Sequence, residues 1–250
     1  MRELNVSQIT ETVARLCIEA ATKLPPELCD AIRAARTQER SPVGQAIFDD
    51  MIRNFELAAQ TGLPICQDTG MAVVFMELGQ DVHLVGGSLN AAVDEGVRIG
   101  YRDGLLRKSV VDDPLRRVNN DENTPAVLHL TIVDGEQVRI TVAPKGFGSE
   151  NMSAMRCFTP SATREDVEDF IRDAMSQAGS NPCPPVILGV GLGGTIEQAA
   201  RLAAKLEPGA IAERLVREAA VRRGNARTDD LTCICARVCL RNSDMKVREA

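Results

Sequence analysis

Six apolar residues in a row, Met71-Ala72-Val73-Val74-Phe75-Met76, constrain this chain more than any other feature. A run so short and continuous suits a strand buried on both faces rather than an amphipathic helix. What precedes it has a different texture. Residues 7–24 repeat apolar positions at helical spacing and end at Pro25-Pro26, and a short helix is expected over residues 26–37. Ser41-Pro42 supplies an N-cap and a first-turn proline for a helix that runs to Gln60 and stops at Gly62. After the apolar run, Ser88 starts a helix reaching Tyr101. Residues 126–133 and 138–142 read as two strands joined through Asp134-Gly135, a hairpin signal. A helix over 164–178, a strand over 186–188, a glycine-rich turn and a helix over 195–205 follow. The expected fold class is α/β mixed, a helical N-terminal layer followed by mixed strands and helices. Residues 211–221 are one more helix candidate, and residues 222–250 mix charge with a Cys-rich patch and show no clear period.

With no Trp and one Tyr, the core is expected to be built from Val, Ile, Leu, Ala and Met. The net charge of −6 comes without the basic stripe that nucleic acid demands. No apolar run approaches the length of a membrane span, and Met1-Arg2-Glu3-Leu4-Asn5 lacks the apolar stretch of a secretory leader, so a cytoplasmic home is expected. In such a reducing compartment the eight cysteines point toward metal binding or catalysis rather than disulfides. There is no CxxC, which excludes zinc ribbons and thioredoxin-type sites, so a metal site would have to gather cysteines distant in sequence. Cys17 shares a helical face with Val13, Leu16 and Ala20 and reads as a small buried hydrophobe; Cys29 and Cys157 receive the same reading. His83 and His129 read as structural.

Three loops could carry chemistry. Leu63-Pro64-Ile65-Cys66-Gln67-Asp68-Thr69-Gly70 leads into the apolar run, and sets a possible metal ligand beside an amide and a carboxylate; a plain Asp-Thr-Gly turn is the competing reading. Ala143-Pro144-Lys145-Gly146-Phe147-Gly148-Ser149-Glu150-Asn151-Met152-Ser153 has glycines that admit a ligand close to the backbone; the alternative is a strand-to-helix turn capped by Ser149. In the third loop, Gly189, Gly191 and Gly194 satisfy GxGxxG between a strand and a helix. No second strand ending in a ribose-binding acid follows, so an anion site or a close packing joint competes with a dinucleotide site.

Taken in order, Cys66-Gln67-Asp68-Thr69-Gly70, then residues 145–153, then Cys183-Pro184-Pro185 with Gly191-Leu192-Gly193-Gly194-Thr195 resemble the iron–sulfur hydro-lyase family. Its members of this kind are the α subunits of two-chain class I fumarases and L-tartrate dehydratases. Gly79-Gln80-Asp81-Val82-His83, Leu106-Arg107-Lys108-Ser109-Val110-Val111 and Asn123-Thr124-Pro125-Ala126 extend the likeness, which runs from the first helix to about Lys205.

The resemblance implies a [4Fe–4S] cluster held by three cysteines, its fourth iron open to a dicarboxylate substrate. Cys66 and Cys183 match two of the ligands. Asp68 matches a proton donor to the departing hydroxyl, Gln67 and Arg107 match substrate-binding positions, and Gly148 matches a backbone contact to substrate. The remaining catalytic groups are expected on a β subunit, so this chain alone should be inactive. Fumarate hydration to malate is the expected reaction and tartrate dehydration the alternative. Beyond about Leu206 the likeness is lost, which divides the chain into an expected catalytic domain over 1–205 and a divergent tail over 206–250. The family's third cluster cysteine finds no match there; Cys233, Cys235 and Cys239 lie in unlike surroundings. A truncated or frameshifted tail, and with it an inactive remnant, is the further expectation.

Overall fold

A computed structural model describes residues 1–182, 187–204, 231–238 and 242–246. The chain divides into two compact units, one of Met1–Lys145 with Leu240–Ala250, the other of Gly146–Cys239.

The first unit opens with a short strand, β1 (Arg2–Asn5), running directly into helix α1 (Val6–Thr22). Asn5 caps that helix, its side chain accepting from the Ser7 N–H at 2.9 Å. Helices α2 (Pro26–Gln38) and α3 (Pro42–Thr61) follow. Ser41 caps α3 and Pro42 fills its first turn, as expected, and Gly62 ends it in the left-handed conformation at φ 72°. Arg33 and Arg36 on α2 reach Glu56 and Asp49 on α3. Strands β2 (Met71–Gly79) and β3 (Val82–Val85), helix α4 (Leu89–Asp103) and strands β4 (Val127–Val133) and β5 (Val138–Lys145) complete the Met1–Lys145 stretch. β3 pairs in parallel with β1.

The apolar run is β2, the strand from which the main sheet is built. The sheet order is β4-β2-β5-β9, with β9 (Asn242–Lys246) on the far edge. One face carries Ala72, Val74, Met76, Val138, Ile140 and Val142, packed against Ile9, Val13, Leu16 and Cys17 of α1 and Val93, Val97 and Tyr101 of α4. On the other face Phe75 stacks on its β4 neighbour His129, ring centroids 5.0 Å apart. The structural reading of His129 therefore agrees with its place in the sheet.

The expected hairpin is not formed. β4 runs parallel to β2 and β5 antiparallel to it, so β2 lies between the two strands that Asp134-Gly135 was expected to join. The connection instead arches over the end of β2, where the Gly79 N–H donates to Gln137 O at 2.8 Å and the Asp81 N–H to Gly135 O at 3.0 Å. A Cβ on Gly79 would lie 2.3 Å from Gly135 O, so only glycine admits this crossing. The reason is burial. A strand apolar on both faces gains most where both edges are paired, and that long-range gain overrides a local turn signal.

The second unit contains one helical turn, α5 (Phe147–Glu150), strand β6 (Ala154–Phe158), helix α6 (Arg164–Ala178), strand β7 (Ile187–Gly193), helix α7 (Ile196–Ala204) and strand β8 (Leu231–Val238). Its three strands are antiparallel in the order β6-β8-β7. Thr163 and Asp166 form a reciprocal capping box at the start of α6. The Cys-rich stretch in which no period was expected thus supplies the middle strand of one sheet, and β9 adds to the other. The helix candidate over residues 211–221 lies outside the described residues. No helix among the described residues is long and apolar enough to cross a membrane.

Candidate functional site

Residues 65–70 form the link between α3 and β2. Its entry is pinned at both sides of Ile65, whose N–H donates to Ala21 O at 2.9 Å and whose carbonyl accepts from the Asn54 side chain at 2.8 Å. Cys66 and Gln67 are exposed, Asp68 is half-buried, and Thr69 and Gly70 are buried. The loop therefore turns its functional side chains outward from a buried root. The Asp68 N–H points at the Cys66 sulfur, 3.4 Å away.

Arg107 follows the end of α4. There Leu105 takes the left-handed conformation at φ 53°, while the Leu106 N–H donates to Tyr101 O at 3.0 Å. Leu106 is buried and Arg107 exposed. The two segments are joined directly, since the Thr69 hydroxyl donates to Arg107 O at 3.0 Å. The backbone of Arg107 is thereby tied to the segment that carries Cys66, Gln67 and Asp68.

Two side chains beneath them were not singled out in the sequence. Tyr101, 1% exposed, donates its hydroxyl to the carbonyls of Thr69 and Gly70 at 2.9 and 3.2 Å. Asn123, fully buried, donates to Gly70 O at 3.1 Å and accepts from the N–H groups of Ser109 and Val110 at 2.6 and 3.2 Å. Burial raises the Tyr101 phenol pKa, with negative charge at Cys17 and Asp68 adding to the shift and the Asn123 amide opposing it. The available signals were thin: Tyr101 is the chain's single tyrosine, and Asn123 opens a matched motif without an assigned role.

The glycine-rich segment after β5 belongs to the second unit. Gly148 is exposed within α5, while Ser149 is buried. The cap position is Gly146, and no side chain caps the turn, so Ser149 is not the cap that the turn reading assigned. Cys183 lies outside the described residues.

The GxGxxG pattern resolves into packing. Gly189 and Gly191 are inside β7 rather than in a turn. A Cβ on Gly191 would come 1.9 Å from Ala199 O of α7, so the missing side chain admits a helix and not a pyrophosphate. Thr195 begins α7 by accepting from the Gln198 N–H at 3.1 Å.

The cysteines sort by environment. Cys17 is enclosed, and burial pushes its thiol up to about 12, which makes it a poor ligand. Cys29 is half-buried and Cys157 exposed on β6, so neither is the fully buried hydrophobe expected. Among the described residues no three Cys, His, Asp or Glu side chains come together as a metal site. Cys66 does suit one ligand of a cluster, an exposed sulfur with a backbone N–H directed at it.

Comparison with known proteins places the chain among relatives. The family model for fumarate hydratase (Fumerase) matches residues 10–222. A protein of Methanocaldococcus jannaschii named "Putative L(+)-tartrate dehydratase subunit alpha" is 33% identical over 204 residues, covering 79% of this chain and 71% of its own. The L(+)-tartrate dehydratase subunit alpha of Escherichia coli and that of Shigella sonnei are each 30% identical over 204 residues, covering 80% of this chain and 67% of theirs. On the match across most of its length, this chain belongs to the fumarate hydratase (Fumerase) family.

Proposed function

We propose that this chain is the α subunit of an iron–sulfur hydro-lyase that reversibly hydrates fumarate to malate. The observation that carries the reading is the junction of the 66–68 loop with Arg107 through the Thr69 hydroxyl, 3.0 Å from Arg107 O. It joins the segment that carries Cys66, Gln67 and Asp68 to the backbone of Arg107, which supports their acting on one substrate. Cys66 and Cys183 would hold the [4Fe–4S] cluster, which when bound supplies a Lewis-acidic iron for a substrate oxygen.

In the dehydration direction, the substrate loses a hydroxyl from one carbon and a proton from its neighbour, leaving the alkene and water. Arg107 grips a carboxylate with its planar fork, holding the chain of the dicarboxylate in one direction. Gln67 hydrogen-bonds the substrate beside it. Asp68 donates the proton that converts the departing hydroxyl to water, and takes it back on hydration. A β subunit supplies the base for the carbon-bound proton. Such a protein works in a reducing compartment, the cytoplasm, where thiols survive.

Tartrate dehydration is the second reading. It is favoured by the names of the relatives, and Arg107 and Gln67 would hold either dicarboxylate. The test is anaerobic reconstitution of the chain with its β subunit. Expected are about four irons per α chain and turnover of malate or tartrate that is lost on exposure to air. A complex that binds iron yet turns over neither acid would overturn the reading.

A further inference from the structure

The hydrogen bonds of Tyr101 and Asn123 are unusual in where they end. Five of them end on backbone within three residues of Asp68 or Arg107. The Tyr101 hydroxyl reaches Thr69 O and Gly70 O, which directly follow Asp68. The Asn123 oxygen takes the N–H groups of Ser109 and Val110, two and three residues after Arg107, and its nitrogen holds Gly70 O. One buried amide therefore spans both loops. Asn123 does this from a left-handed backbone at φ 62°, a conformation disfavoured for most side chains but tolerated by asparagine. It is held there by Asn120, whose side chain accepts from the Asn123 N–H at 3.2 Å. At position 101 a core needing only volume would use Phe, which brings no polar atom to satisfy.

We propose that Tyr101 and Asn123 are positioning residues, a buried polar latch that fixes the spacing between the Cys66–Asp68 segment and Arg107. The inference rests on the function proposed above, because the latch matters to catalysis only if those side chains act on one substrate. A dicarboxylate held by Arg107 while Asp68 protonates its hydroxyl requires a fixed distance between the two. Displacement by about 1 Å is enough to cost on the order of a hundredfold in rate.

Two substitutions remove the latch, Tyr101→Phe with little change in packing and Asn123→Gly with a small buried cavity. Tyr101→Phe keeps the ring and deletes the hydroxyl, while Asn123→Gly keeps the left-handed backbone and deletes the amide. Amide hydrogen exchange of the full chain, resolved by fragment, is the first measurement and needs neither cluster nor turnover. In either variant the fragments covering 65–70 and 107–112 should exchange faster together, by about tenfold, while α1 and β5 keep their protection. Asn123→Asp retains the acceptor for Ser109 and Val110 and loses the donor to Gly70. It should restore protection of 109–110 without restoring that of the 65–70 loop. In the reconstituted complex, Tyr101→Phe should lower kcat by about ten- to a hundredfold and also raise KM, since the grip and the proton donor drift apart. Loosening of one loop without the other, or faster exchange throughout the unit with kcat and KM unchanged, would mean that the pair serves packing alone. Coupled exchange in a wild-type complex that turns over no hydroxy acid would leave the latch standing and sink the functional reading instead.

Discussion

Two stretches of this chain carry glycines at the edge of a strand, and they are put to opposite uses. Residues 65–70, before β2, keep Cys66 and Gln67 in solvent and sink a polar root into the unit, held by Tyr101, Asn123 and Thr69. Residues 189–195, in and after β7, have the more suggestive pattern, yet Gly191 is occupied by the backbone of α7. A loop that presents chemistry on some side chains is anchored by others, here its own buried Thr69 together with Tyr101 and Asn123 from elsewhere in the fold. A loop that only joins a strand to a helix can be held by contact of main chain with main chain. Glycine spacing does not tell these apart; the polar atoms behind the loop do.

The contrast can be broken most directly at Asp68. Replacing it with Asn keeps the loop's shape and removes the proton donor, so kcat of the reconstituted complex should fall by about 10²- to 10⁴-fold with unfolding in urea unchanged. Activity near wild type would remove Asp68 from the chemistry and the first stretch from its assigned use.

Alkaline titration tests what lies beneath that stretch. Cys17 holds its proton to about 12 in the folded chain against an ordinary 9.0. The unfolded chain therefore releases a proton that the folded chain keeps, and stability is full below pH 9 and falls as pH rises toward 12. The Cys17 share of the loss should approach roughly 4 kcal/mol at the upper end, and Cys17→Ala should remove the slope between pH 9 and 10, above which the buried Tyr101 phenol adds its own, when urea midpoints are followed against pH. A slope indifferent to the substitution would place the sensitivity elsewhere.

Gly191→Ala addresses the second stretch. A methyl group 1.9 Å from a backbone oxygen forces α7 off β7, at a cost of about 1–3 kcal/mol. Nicotinamide dinucleotide should bind neither the wild type nor the variant, as calorimetry would show. Thr163→Ala gives the smallest effect, loss of the α6 cap at about 1 kcal/mol. It sets the scale of a purely structural change in the second unit, and the kcat of the assembled complex should not respond.

How far the sequence could be read follows the range of the interactions concerned. The start and stop of α3 were legible because Ser41, Pro42 and Gly62 act on their immediate neighbours. The pairing of β4 and β5 was not, since nothing near Asp134-Gly135 reports that β2 takes the place between them. β8 escaped in the same way. Its pairing partners, β6 and β7, lie about 40 to 80 residues away along the chain, and no local turn signal announces that pairing. At the site, Cys66, Asp68 and Arg107 were recognisable through an ordered set of motifs. The anchoring roles of Thr69, Tyr101 and Asn123 were not, because a buried hydroxyl or amide holding distant backbone has no characteristic spacing. Their partners lie from 13 to 53 residues away along the chain.

The crossing of the β4–β5 connection over Gly79 has a consequence for how the chain reaches this structure. Four residues separate the two strands, and a hairpin across so short a link closes in about 1–10 μs. β2 ends 48 residues before β4 begins, so its pairing comes at a larger loop-closure cost. A hairpin between β4 and β5 is thus a fast local contact that the finished sheet excludes, and wherever it forms it has to open before β2 can enter. Folding of the first unit should then slow when the Asp134-Gly135 turn is made stronger, although the native sheet gains nothing from that turn as a hairpin.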